Sequence, residues 1–130
     1  MKTELLYLVW TTVLTGLLWI PYIIDRAMVR GVEDAMGYPE NPKPGAPWAQ
    51  RLQKAHNNAV ENLVLFAALV LSAHALGVSS PAIGTASVVY FWARVAHAAV
   101  YTFAVPWLRT LSWTVGWLAL AVIAWQILAA

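Results

Sequence analysis

The chain has 130 residues, of which 61% are apolar and only 11% charged, with a net charge of +2 and no cysteine. Soluble domains carry about 25% charged residues, so this balance excludes an ordinary soluble fold and reads as a membrane protein. Without cysteine there are no disulfides, thiolate metal ligands or protein thiol nucleophile, and the basic residues are too few and scattered for a nucleic-acid surface.

The apolar residues fall into four runs, over residues 5–24, 59–77, 82–105 and 111–129. A bilayer core is crossed by roughly 20 apolar residues in helical form, so each run is long enough to span. The chain is expected to be a single membrane domain over residues 1–130, an all-α four-helix transmembrane bundle: a first helix at about 4–26, a cytoplasmic loop at about 27–47, and further helices at about 48–77, 80–104 and 107–129.

Lys2 before the first run resembles a signal-peptide start, but the run is too long and no small-residue cleavage site follows, so it reads as a membrane helix. The loop after it contains YPENPKPGAP, whose prolines remove backbone donors and bias their predecessors to extended geometry. The turn LGVSSP predicts a helix end at Gly77 and a cap from Ser79 or Ser80; Pro106 is expected in the first turn of the last helix. Arg26, Arg30, Lys43, Arg51, Lys54 and Arg109 gather on one side of the membrane and Lys2 on the other, which by the positive-inside rule puts the basic side in the cytoplasm. Trp19, Tyr22, Trp48 and Trp107 stand near span ends, as interfacial anchors do.

The informative residues are polar ones within the apolar runs. Arg51, Asn58, Glu61 and Asn62 share one face of the second helix, and Arg94, His97 and Tyr101 share one face of the third. A charge inside the membrane costs at least about 2.5 kcal/mol, so these faces are expected to meet, with Glu61 and Arg94 as an ion pair. The plain reading is a network that fixes helix packing. The further supply of donors on the same side, Arg26, Arg30, Arg51, Lys54 and Arg109 with Thr110, outlines instead a basic mouth for a small polyanion. His56 is expected to be solvated or carboxylate-paired, and His74 to be a helix-end residue. No histidine and carboxylate spacing suits a metal.

These residues resemble the family of membrane-associated proteins in eicosanoid and glutathione metabolism (MAPEG), in a bacterial-type form. The likeness rests on Arg-x-x-x-x-His-x-Asn-x-x-Glu at Arg51, His56, Asn58 and Glu61, on Arg-x-x-His-x-x-x-Tyr at Arg94, His97 and Tyr101, and on an arginine followed by a hydroxyl residue at Arg109 and Thr110. The resemblance implies a homotrimer in the bacterial inner membrane, with glutathione as cosubstrate in a cleft between subunits on the cytoplasmic side. Asn58 and Glu61 would hold the peptide, Glu61 accepting from its amino group. Arg51, Arg26 and Arg30 would attract its carboxylates, with His56, Arg94, His97 and Tyr101 around the pocket. Arg109 would face the thiol and Thr110 would hydrogen-bond the sulfur. The implied activity is glutathione transfer to lipophilic electrophiles, or reduction of lipid hydroperoxides, with the substrate arriving from the bilayer.

The chain departs from the family pattern at Asn57, where an arginine often follows the histidine, at Thr110, often a serine, and at Trp113, where a tyrosine is common. These departures keep a second reading open, a non-catalytic lipid-binding scaffold or accessory membrane subunit of the same fold. A transporter is disfavoured, since the chain shows no inverted repeats or interrupted spans.

Overall fold

The computed structural model describes all residues 1–130 and is entirely helical. Its elements are α1 (Thr3–Leu17), α2 (Trp19–Arg30), α3 (Val32–Met36), α4 (Pro47–Leu76), α5 (Pro81–Thr102) and α6 (Leu108–Leu128). The helices α1 and α2 together form one stretch of 28 residues, interrupted only at Leu18, which keeps right-handed helical angles. Pro21 is the physical reason for the interruption: it has no N–H for the Leu17 carbonyl, and its ring crowds that carbonyl one turn back. The first helix thus extends to Arg30, where Gly31 at φ 81° ends it. The loop that follows is not wholly irregular, since α3 occupies five of its residues.

At 30 residues, α4 is about 45 Å long and outreaches the roughly 30 Å hydrocarbon layer, so its first turns stand in the interface. It closes in a Schellman motif, with Gly77 left-handed, Gly77 N–H donating to the His74 carbonyl and Val78 N–H to that of Ala73. Ser80 then caps α5 by accepting from Ile83 N–H at 3.2 Å. The other end of α5 repeats the Schellman pattern, from Ala104 to Tyr101 and from Val105 to Val100, with Ala104 at φ 56°. Pro106 lies outside the last helix, which begins only at Leu108 after Trp107 at φ 69°.

Three stretches are long and apolar enough to cross a membrane: Thr3–Arg30, Pro47–Leu76 and Leu108–Leu128. The fourth long helix, α5, is less apolar because it buries Ser87, Arg94 and His97, and it can do so because it packs against α1, α4 and α6 together. The core joins Phe66, Val70 and Ala73 of α4 to Ile83, Ala86 and Tyr90 of α5 and Ala119, Leu120 and Ile123 of α6. Phe66 and Tyr90 stack at 4.2 Å between ring centroids. Gly116 of α6 lies beside this stack, where a Cβ would meet the Tyr90 ring at an ordinary contact distance of 3.8 Å. Large apolar side chains such as Trp10, Val64, Trp92 and Trp125 remain exposed, as the lipid-facing surface of a membrane bundle requires.

The two ends of the bundle differ in chemistry. At one end Ser79 donates to Glu4 and Ser80 to Gln126, tying the start of α1, the α4–α5 turn and the end of α6 together. At the other, Tyr22 meets His56 and Arg51 meets Thr102, joining α2, the lower part of α4 and the end of α5.

Candidate functional site

The polar faces of α4 and α5 do meet, but through a different pair from the one expected. Arg94 Nη2 donates to Asn58 Oδ1 at 2.6 Å, while Glu61 is exposed on the outside of α4 and takes no part. The reason is angular: Asn58 and Glu61 are three residues apart, some 60° around the helix, and α5 lies on the Asn58 side. Asn62, one turn on, donates from Nδ2 to the Asn58 backbone carbonyl at 2.9 Å and to Asn58 Oδ1 at 3.3 Å. The second bond helps hold the amide so that its oxygen faces the guanidinium.

Arg94 and His97 are both buried, at 3% and 2% exposed. Arg94 Nη2 also approaches His97 Nδ1 at 3.4 Å; since a guanidinium can only donate, Nδ1 accepts and Nε2 carries the ring proton. The His97 ring meets Tyr101 edge-on at 5.5 Å, and Arg109 lies over the Tyr101 face at 5.0 Å from the centroid. A chain of contacts thus runs from Asn58 through Arg94, His97 and Tyr101 to Arg109.

Two adjoining recesses share this chain. One, of about 220 Å³, is lined by Asn58, His97, Tyr101, Arg109, Thr110 and Trp113. The other, of about 330 Å³, adds Arg51, Val100 and the α5–α6 turn from Ala104 to Trp107 and shares Tyr101, Arg109 and Thr110. Arg51 is fixed at its rim by donating through Nε to the Thr102 carbonyl at 2.9 Å, which leaves its terminal nitrogens for another partner. The turn itself is strained, with Ala104 and Trp107 both at positive φ although neither is glycine. A non-glycine residue in that region costs about 1–2 kcal/mol, and such strain collects where a turn must position functional groups. Here it sets Arg109 and Thr110 at the mouth of both recesses.

The remaining expected residues lie elsewhere on the chain. His56, half-exposed, pairs with a phenol rather than a carboxylate, accepting at Nδ1 from or donating to Tyr22 Oη at 2.7 Å. Arg26 lines a third recess, of about 240 Å³, with Tyr22, Asp25, Arg30 and Gln53. There Asp25 Oδ2 accepts from Ala46 N–H at 3.0 Å, and Arg30 donates to the Lys43 carbonyl at 2.7 Å, clipping the long loop to α2. Glu61 lines none of these three recesses. No group of three or more histidine, cysteine, aspartate or glutamate side chains is placed to hold a metal ion.

Tyr22, Asn62 and Trp113 belong to these surroundings and were not among the expected site residues. Asn62 had a signal, four residues after Asn58 on the same face; Trp113 stood at a position already singled out. Tyr22 had none, because its partner is 34 residues away.

Chemically, the paired recesses offer two guanidinium groups, two hydroxyls, an amide and an imidazole beside apolar walls. That suits a small anion with hydrogen-bonding groups, presented next to lipid. A search of curated proteins gives no match. The family model described as the MAPEG family matches residues 5–129, nearly the whole chain, and with the helical membrane bundle this shows that the protein belongs to the MAPEG family.

Proposed function

We propose that this protein binds glutathione at the Arg51–Tyr101–Arg109 recesses and conjugates it through its sulfur to lipophilic electrophiles, or uses it to reduce lipid hydroperoxides. The observation that carries this reading is the placement of the Arg109 guanidinium and the Thr110 hydroxyl at the shared mouth of two polar recesses, against the Tyr101 ring. A thiol with a reference pKa near 8.5 is only a few per cent thiolate at neutral pH, and an adjacent guanidinium lowers that value. In this reading Arg109 stabilises the thiolate, Thr110 donates to the sulfur, and Arg51 with Asn58 takes the carboxylate and amide groups of the peptide.

In conjugation the thiolate lone pair forms a C–S bond at the electrophilic carbon, and the leaving group departs with its bonding pair. In peroxide reduction the thiolate attacks one peroxide oxygen and the O–O bond breaks. The alkoxide takes a proton to become an alcohol, and a second glutathione converts the sulfenic product to the disulfide and water. The protein's main contribution in either case is proximity, since the two reactants prefer different phases.

Glu61 supports a site built by more than one copy. It is a carboxylate on the outer surface of an apolar span, beside the exposed Val60, Val64 and Leu65. Facing lipid it would cost at least the insertion penalty of about 2.5 kcal/mol, which a second protein surface removes. A homotrimer covers Glu61 and brings it to a neighbour's recess, where it accepts from the amino group of glutathione. The orientation that fits the arginine distribution puts the recesses on the cytoplasmic side of a bacterial inner membrane.

The test is calorimetric titration of the detergent-purified protein with glutathione while thiolate absorbance is followed in the ultraviolet. Saturable binding with a thiolate signal at neutral pH supports the reading. Absence of binding by a folded oligomer sinks it and favours the accessory-subunit reading, for which Trp113 in the recess is the specific structural argument.

A further inference from the structure

The end of the bundle remote from the arginines holds a second polar cavity, and nothing in the proposed reaction uses it. Glu4, in the first turn of α1, is only 4% exposed, which is rare for a carboxylate at a helix start. One of its oxygens accepts from Ser79 at 2.9 Å. The cavity above it, of about 530 Å³, is lined by Lys2, Thr3, Ser79, Ser80 and Thr85 among others, with Val88 its single hydrophobic side chain. One carboxylate oxygen is bonded to Ser79 and the other is left free to meet a ligand in the cavity that Glu4 lines, where a cation able to donate hydrogen bonds is the complementary group.

Thr85 also lines an apolar groove between α5 and α6, with Ala82, Ala86, Val89, Leu118 and Val122, about 350 Å³ in volume. On α5 these residues recur at three- and four-residue spacing, so the groove follows the helix for two turns, about 10 Å, starting from the polar cavity. Ala82, Ala86 and Ala119 line it with small side chains, which favours a slender hydrocarbon chain as its occupant. A polar cavity with one carboxylate and one ammonium side chain, opening into a narrow apolar groove, matches a molecule with a zwitterionic head and an acyl tail.

We propose that this end of the protein binds an ethanolamine phospholipid of the leaflet opposite the basic recesses. Its ammonium pairs with Glu4, its phosphate lies beside Lys2 and the positive N-terminus of α5, and one acyl chain occupies the groove between α5 and α6. The chemistry discriminates among headgroups. An ethanolamine ammonium brings three N–H donors to Glu4, a choline brings the same charge with none, and a glycerol headgroup leaves a net anion facing a carboxylate.

The experiment reconstitutes the protein into nanodiscs of equal parts phosphatidylcholine, phosphatidylethanolamine and phosphatidylglycerol and identifies the lipid retained on release by native mass spectrometry. The expected result is several-fold enrichment of phosphatidylethanolamine, lost in Glu4→Gln, which keeps an oxygen for Ser79 and hence the fold. Thr85→Trp, at an exposed position, is expected to lower retention of every lipid by filling the groove. Retention without headgroup preference, or enrichment that persists in Glu4→Gln, overturns the proposal. So does displacement of the lipid by free phosphoethanolamine at equal concentration, since the groove would then contribute nothing. The readout involves no glutathione, so its outcome is separate from that of the proposed reaction.

Discussion

Arg94 of α5 donates to Asn58 of α4 at 2.6 Å inside the bundle, so the one fully buried guanidinium is balanced by a neutral amide and not by a carboxylate. The guanidinium is held by hydrogen bonds to Asn58 and His97, and Asn62 helps orient the Asn58 amide by donating to its Oδ1 at 3.3 Å. Asn58→Leu is expected to destabilise the protein by about 1.5–3 kcal/mol, the range for losing a hydrogen bond to a charged group. Arg94→Met in the same background is expected to recover much of that loss. Unfolding in mixed micelles, run as a double-mutant cycle, measures the coupling; additive losses would mean that the two side chains act independently.

Arg109 is exposed at the recess mouth and committed only to the face of Tyr101. Arg109→Ala is expected to abolish the thiolate absorbance of bound glutathione at neutral pH and to lower kcat by about 10²–10³-fold, the effect of removing a preorganised charge-stabilising group. Arg109→Lys keeps the charge and is expected to retain part of the thiolate signal. A rate-against-pH profile checks the sign: without the guanidinium the thiol titrates higher, so activity shifts to more alkaline pH.

Glu61 gives a prediction of a different kind, because it stands outside the recesses of its own chain. Glu61→Gln is expected to weaken glutathione binding by roughly 10–100-fold, as losing a charged hydrogen-bond acceptor does, while secondary structure and thermal stability of the oligomer change little. Calorimetry alongside size-exclusion chromatography reads both quantities. Mixing Glu61→Gln with Arg109→Ala subunits adds a sharper check, since recovery of activity in the mixed oligomer occurs only if the site draws on two chains.

The α5–α6 turn stores strain at Ala104, φ 56°. Ala104→Gly is expected to stabilise the fold by up to about 1 kcal/mol, since glycine adopts that geometry without penalty. Activity is expected to hold or fall slightly as the turn gains freedom next to Arg109. A fall in thermal stability would show that the Ala104 methyl contributes more by packing than its backbone costs.

The loop before α4 is clipped by Asp25, and Gly45 is what allows it: a Cβ at Gly45 would lie 2.7 Å from Asp25 Oδ2. Gly45→Ala is expected to break the bond from Ala46 N–H to Asp25 and to release the loop. Limited proteolysis between residues 37 and 46 should then proceed several-fold faster than in the parent protein.

Hydropathy, proline and capping chemistry by themselves determined the membrane bundle, the sharp turn at Gly77 and Ser80, and the grouping of polar residues on facing sides of two helices. All of these follow from local periodicity and backbone preferences, which act over a few residues. The family signature likewise lay in the order of Arg51, Asn58, Glu61, Arg94, Tyr101 and Arg109. Which of these residues touch was decided only in three dimensions. Arg94 selected Asn58 over Glu61 because helix rotation turns the carboxylate away from α5. Tyr22 found His56 across two helices, and Pro106 with two left-handed residues fixed where α6 begins. The Glu4 cavity joins the start of the chain to the α4–α5 turn, 75 residues on at Ser79. Contacts of this kind depend on helix packing angles and side-chain rotation, which no spacing rule along one chain encodes.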